Sequence, residues 1–256
     1  MTVAALLRTH EGPGVERLRH EVRIRSLQVQ RVDRVTPNML RVTLCGEDLQ
    51  AFRSLGFDDH VKILVPTDTG TFERRDYTHR RYDVAGRMLA IDFALHDAGP
   101  ATLWALGAKP GDTVQVAGPK GSAVVSPDVR SWLLVGDETA LPAIGRRIEE
   151  AGAGTHLTSV VAVPGPEDEQ SFATRADLTA LWVHRPASAA ADPGALLAVV
   201  QTLDLRPDTF IWVAAEAGVA RAVRDHVIER RGHPRAWVKA SGYWIMGKAD
   251  AHERIG

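Results

Sequence analysis

Apolar and polar positions alternate along the first half of the chain and give way to unbroken apolar runs in the second, the change falling near residue 130. In the first half, two-residue alternation and β-branched enrichment predict strands over 22–32, 39–44, 60–65, 88–96 and 113–117. Turn signals separate them at Thr36-Pro37-Asn38, at 67–70, at Ala85-Gly86 and at Pro110-Gly111-Asp112. Short strands at such spacing predict an antiparallel barrel or sandwich. In the second half, apolar strands over 132–135, 157–163, 181–184, 210–215 and 235–240 alternate with helical patterns over 141–151, 195–203 and 218–231. Val219, Val223 and Val227 stand four residues apart, and Gly232 supplies the stop. Strands alternating with helices mean parallel βαβ units. The chain therefore reads as a two-domain protein: an N-terminal antiparallel β-barrel over 15–125 and a C-terminal α/β parallel-sheet domain over 126–256, with the linker over 122–130.

Composition narrows the chemistry. The 256 residues are 45% hydrophobic and 25% charged, which excludes disordered and fibrous classes. With 31 basic and 32 acidic residues the net charge is −1, so no global field draws the chain to nucleic acid or to an anionic membrane. The lone cysteine, Cys45, can neither close an internal disulfide nor ligate an iron–sulfur cluster. Any redox chemistry must then rest on an organic cofactor, and Cys45 reads as a small hydrophobe at a strand end. The apolar stretch at residues 3–7 is too short for a secretory signal, and no run approaches the about 20 residues that span a bilayer. A cytoplasmic protein with no membrane insertion is expected.

The most informative segment is Arg75-Asp76-Tyr77-Thr78-His79-Arg80. A flat electron-accepting ring needs an aromatic face, which Tyr77 offers, and polar partners at its edge, which Thr78 offers. Arg75 and Arg80 are planar, permanently charged donors suited to the phosphates of a dinucleotide. In a strand, alternation would divide these tasks between two faces. The sequel, His96-Asp97-Ala98-Gly99-Pro100-Ala101-Thr102-Leu103-Trp104, follows a predicted strand directly. A Gly-Pro turn opening a helix presents free backbone N–H groups, an anion site that needs no charged side chain. Thr102 adds a hydroxyl there.

These segments resemble the siderophore-interacting protein family, within the larger ferredoxin–NADP reductase-like group. The matching stretches are 36–43 (TPNMLRVT), 59–62 (DHVK), 75–80, 96–105, 110–112 (PGD), 118–122 (GPKGS), 136–144 (GDETALPAI) and Gly242-Tyr243-Trp244 with Gly247. They run through nearly the whole chain. The resemblance implies a Greek-key flavin barrel and an FAD-dependent ferric-siderophore reductase fed by NAD(P)H, releasing Fe(II) for intracellular use. By the same resemblance Arg75, Tyr77, Thr78, Arg80, Asp92, Phe93, His96, Gly99, Ala101, Thr102 and Trp104 bind the FAD. Tyr77 packs on the isoalloxazine and Thr78 lies near its reactive N5 edge, which makes these two the catalytic pair. The resemblance leaves two alternatives open: an NAD(P)H–flavin oxidoreductase for another acceptor such as ferredoxin, and a flavin- or siderophore-binding protein without turnover. A monomer is expected.

Ferric catecholates are anionic, so a local basic cluster would help to dock them, and Lys62, Lys239 and Lys248 are the candidates. No protein iron ligand is required, and none is evident. The α/β half lacks G-x-G-x-x-G: its first strand-to-helix turn reads Gly136-Asp137-Glu138-Thr139, whose two carboxylates would repel a pyrophosphate. This predicts a weakly held nicotinamide. Arg175 and Arg185 could meet a 2′-phosphate, and Trp244 reads either as a residue approaching the flavin or as core packing.

Overall fold

The computed structural model describes residues 12–66, 71–95, 99–248 and 253–255. The expected turn at 67–70, the N-terminal stretch and His96 lie outside them. The chain divides into two compact units, one formed by Arg17–Val124 and the other by Val125–Gly256 with the N-terminal residues.

The first unit contains β1 (Val15–Arg19), β2 (Ile24–Thr36), β3 (Met39–Cys45), β4 (His60–Pro66), β5 (Phe72–Asp83), β6 (Met88–Ala94), helix α1 (Pro100–Gly107), β7 (Thr113–Ala117) and β8 (Gly121–Val125). Six strands close an antiparallel barrel in the order β2-β3-β6-β5-β4-β7. Alternation does this directly: Leu27 and Val29 on β2, Val61 and Ile63 on β4, and Leu89 and Ile91 on β6 all turn into one core. Arg25 joins them at the barrel rim, where its guanidinium donates to the Gly118 carbonyl at 2.6 Å and lies 5.2 Å from the Phe52 ring. Helix α1 plugs the barrel with Ala101 and Ala105, both buried in the same core.

The linker expected over 122–130 is only partly one. Its first residues form β8, paired with β1. Ser122 donates to Asp59 at 2.6 Å and meets His20 Nε2 at 2.7 Å, contacts about 60 and 100 residues away that local pattern cannot reveal.

The second unit contains β9 (Ser131–Asp137), α2 (Leu141–Glu149), β10 (His156–Val163), β11 (Asp177–His184), α3 (Gly194–Thr202), β12 (Thr209–Glu216), α4 (Ala217–Asp225), β13 (Val238–Trp244) and β14 (Glu253–Ile255). They form one sheet in the order β11-β10-β9-β12-β13-β14, parallel except for the last pairing. Strands β9 and β12 are buried at every residue, which is why their sequences show no alternation. The strand expected over 235–240 begins later, because Arg235–Trp237 forms a 3-10 turn.

Candidate functional site

Strand β5 changes partner along its length. From Phe72 to Thr78 it pairs with β4, and its pairing with β6 begins only at His79↔Ile91. Strand β6 pairs with β3 along its whole length, but only Met88–Ile91 of it also pair with β5. Among the described residues the stretch of β5 carrying Arg75, Tyr77 and Thr78 therefore has no ladder partner on its β6 side, and the barrel wall parts there between β5 and β6. A register shift between His79 and Arg81 marks the junction and leaves Arg80 as the extra residue of a bulge. Bulges re-aim side chains in this way.

Alternation divides the segment as expected. Tyr77 and His79 share the inward face: Tyr77 lies 4.5 Å from the Phe93 ring, and His79, fully buried, lies 5.1 Å from Phe52. Arg75 is on the same face further along, with Glu73 at 2.5 Å. Thr78 takes the opposite face and is buried, as is Arg80. The start of α1 completes the arrangement. Gly99 caps it with no side-chain hydrogen bond, while Ala101 and Thr102 are buried. A Cβ on Gly99 would meet nothing within 4 Å, so this turn faces open space. Tyr77 and Thr102 share a side-chain hydrogen bond. Burial is the main cause that pushes the Tyr77 hydroxyl up to about 12, so it stays protonated through the physiological range.

Other sequence candidates have different surroundings. Both carboxylate oxygens of Asp92 accept from Arg41, at 2.6 and 2.7 Å, so its side chain anchors β6 to β3. Phe93 is wholly buried and packs on Tyr77, with the Trp104 ring 5.9 Å from its own. Lys62 is half-exposed and paired with Asp76 at 2.8 Å, which offsets part of its charge. Lys239 lies on β13 and Lys248 is exposed after it, both in the second unit.

The second unit gives both carboxylates of Gly136-Asp137-Glu138-Thr139 partners within the protein. Asp137, 1% exposed, does not face a ligand. One of its oxygens accepts from Thr139 N at 2.9 Å and Thr139 Oγ1 at 2.5 Å, the other from Glu216 N and Trp244 Nε1, both at 2.9 Å. It thereby ties together the carboxyl ends of β9, β12 and β13. Gly136 is required by close approach: a Cβ there would sit 2.6 Å from Ala140 Cβ and 2.8 Å from the Ala214 carbonyl oxygen. Glu138 is paired with Arg185 at 2.8 Å. Burial, then the neighbouring Asp137 charge, raise its carboxyl to about 7 against the pull of Arg185. Arg175 is exposed. Trp244 is held by its indole N–H in its own unit's sheet edge. The Glu138–Arg185 and Asp137–Trp244 pairings join residues 47 and 107 positions apart, and no periodicity or local motif signals them.

Comparison with known proteins agrees with this architecture. Residues 129–247 match the model of the siderophore-interacting protein family, and residues 28–74 and 72–123 match that of the siderophore-interacting FAD-binding domain. The chain is 34% identical over 251 residues to the NADPH-dependent ferric-chelate reductase of Escherichia coli K12, covering 90% of this chain and 96% of that protein. It is 28% identical over 245 residues to the ferric vibriobactin reductase ViuB of Vibrio cholerae, covering 88% and 90%. The crystal structure of a siderophore utilization protein from T. fusca superposes with a TM-score of 0.84 at 34% identity, covering 93% of this chain and 98% of that one.

Proposed function

The chain belongs to the siderophore-interacting protein family, and from that premise we propose that it is an FAD-dependent ferric-siderophore reductase that moves electrons from NAD(P)H to chelated Fe(III) and releases Fe(II). The observation that carries this reading is the parted wall between β5 and β6, where Arg75, Tyr77 and Thr78 stand beside the uncapped start of α1. The residue types suit a flavin dinucleotide: an aromatic ring, a buried hydroxyl, guanidinium groups and the N-terminus of a helix lie on neighbouring stretches of β5 and α1. In this reading Arg75, Arg80 and the backbone of Gly99, Ala101 and Thr102 hold phosphates and ring carbonyls. Tyr77 carries the ring, Thr78 meets its edge, and Phe93, Asp92 and Trp104 fix the wall behind them.

When bound, FAD supplies the conversion between a two-electron hydride donor and a one-electron metal acceptor. The chain's task is orientation: it must hold the nicotinamide about 3–3.5 Å from the flavin and leave a ring edge accessible to a bulky chelate. Hard oxygen donors grip Fe(III) better than Fe(II), so reduction itself loosens the metal and no protein ligand is needed. Among the described residues no group of histidine, cysteine, aspartate and glutamate is arranged to hold a metal ion, and no helix is long and apolar enough to cross a membrane. Lys62, although paired with Asp76, Lys239 and Lys248 are the proposed groups for drawing in an anionic chelate.

The finer reading assigns FAD to residues 15–125 and the nicotinamide nucleotide to 126–256, supported by the spans of the two matched models. NADPH is the proposed donor, supported by the Escherichia coli relative. A monomeric, cytoplasmic enzyme completes it. The test is anaerobic. FAD-loaded protein should bleach with NADPH, then regain its colour on addition of a ferric siderophore while ferrozine traps Fe(II). Bleaching without iron release would point to another acceptor, such as ferredoxin. Failure to bleach with NADPH or NADH would leave a binding protein.

A further inference from the structure

The second unit holds a buried ion pair at the edge of its sheet where ligands collect in open α/β folds. Glu138 follows β9 and Arg185 follows β11, and these strands flank β10 in the sheet. Their side chains therefore meet across the carboxyl end of β10, Arg185 Nη2 donating to Glu138 Oε2 at 2.8 Å. Both residues are buried, with 6% and 7% of Arg185 and Glu138 exposed. The second terminal nitrogen of Arg185, Nη1, is also buried and makes no hydrogen bond within the protein. A buried guanidinium N–H left without an acceptor is costly. That cost is relieved if an anionic oxygen enters.

The charges along this edge set the terms of entry. Asp137 and Arg185 are the groups that act on Glu138. Further along stand Glu216, whose carboxylate caps α4, Glu167, folded against Gly165, and the exposed His184–Glu169 pair. Carboxylates outnumber cations here, so a phosphoryl group arriving beside an ionised Glu138 meets repulsion. Once Arg185 turns to a phosphoryl oxygen, Glu138 loses the cation that offsets its burial beside Asp137, and the neutral acid becomes the favoured form.

Resting on the reading that a nicotinamide dinucleotide binds at this edge, we propose that Glu138 is a latch on Arg185: it yields the guanidinium to a phosphoryl oxygen of the dinucleotide and takes up one proton from solvent as it does so. The carboxylate becomes a carboxylic acid, no covalent bond of the nucleotide changes, and the net charge of the edge stays low enough to admit the ligand. Glu138 acts through Arg185 and is a positioning residue.

The experiment is calorimetric titration of the FAD-loaded protein with NADP+ and with NAD+, in buffers of different ionisation enthalpy. At a pH above the raised Glu138 value of about 7, wild type should take up close to one proton per dinucleotide bound. Its affinity should fall by up to about tenfold per pH unit in that range, as one linked proton requires. Glu138→Gln should bind without proton uptake and with an affinity flat in pH, while its flavin spectrum shows that it is folded. Arg185→Ala should bind weakly and also without uptake. Uptake with NADP+ alone assigns the 2′-phosphate, and uptake with both assigns the pyrophosphate. Either upholds the latch. The same proton count in wild type and Glu138→Gln overturns the latch and leaves nucleotide binding standing. No binding of either dinucleotide to wild type overturns both.

Discussion

The side chains of Tyr77 and Thr102 share a hydrogen bond that ties the middle of β5 to the first turn of α1. One contact thereby fixes the aromatic face and the helix N-terminus relative to each other, and these are the two features a flavin dinucleotide would need at opposite ends. Tyr77→Phe keeps the ring and its packing on Phe93 but loses the link. FAD affinity should fall about fivefold, the effect of one hydrogen bond near 1 kcal/mol. Tyr77→Ala removes the face as well and should weaken binding by well over an order of magnitude. Titration of the apoprotein with FAD, followed by flavin fluorescence quenching, reads both.

Arg75 is held by Glu73 and would exchange that carboxylate for a phosphate of the dinucleotide. Arg75→Ala should reduce FAD affinity by about 10- to 100-fold, as expected for loss of a charge-assisted pair near 1.5–3 kcal/mol. Fold stability should hardly change, because an ion pair this close to the surface contributes little. Unchanged FAD affinity would remove Arg75 from the site.

Thr78→Ala should leave FAD bound and slow its reduction by NADPH. Stopped-flow bleaching of the loaded variant measures this, and a wild-type rate would remove Thr78 from the ring edge.

Asp137 predicts a purely structural outcome. Its two oxygens serve four donors on β9, β12 and β13 and in the turn between β9 and α2. Asn offers one acceptor oxygen and turns an NH2 group toward donors, so Asp137→Asn should cost about 2–4 kcal/mol in urea unfolding. Trp244→Phe deletes one of the four bonds and should cost less.

Glu138 gives stability a pH dependence of known sign. Its folded value, about 7, lies above the ordinary 4.5. Below 4.5 the group is protonated folded and unfolded, and it carries no charge penalty. As pH rises toward 7 the unfolded chain releases the proton while the folded chain keeps it, so stability is lost across this window and levels off above it. Urea midpoints of wild type should fall relative to Glu138→Gln between pH 5 and pH 8. Parallel pH profiles would show that Glu138 does not titrate in this range.

Much of the architecture was legible because burial writes period into sequence. The two-residue alternation of β2 and β4, and the unbroken apolar runs of β9 and β12, separated barrel from parallel sheet. The segment from Arg75 to Arg80 was legible because its residue types are chemically distinctive. Its neighbours were not. The pairing of Asp92 with Arg41, directly opposite it across the β3–β6 ladder, left no mark in the sequence. The carboxylates of Asp137 and Glu138 were visible as an acidic turn, but not their partners: backbone and indole donors for the first and Arg185 for the second. Such pairings depend on strand order and register, and no local pattern encodes either. The parting of β5 from β6 was hidden for the same reason.

The proposed function requires that the opening between β5 and β6, beside α1, takes a flavin. The visible spectrum of the purified protein, before and after incubation with FAD and removal of the excess, answers this most directly. A yellow protein with a resolved flavin band, lost in Tyr77→Ala, is the predicted result. A wild-type protein that is folded, yet colourless before and after FAD, would contradict it.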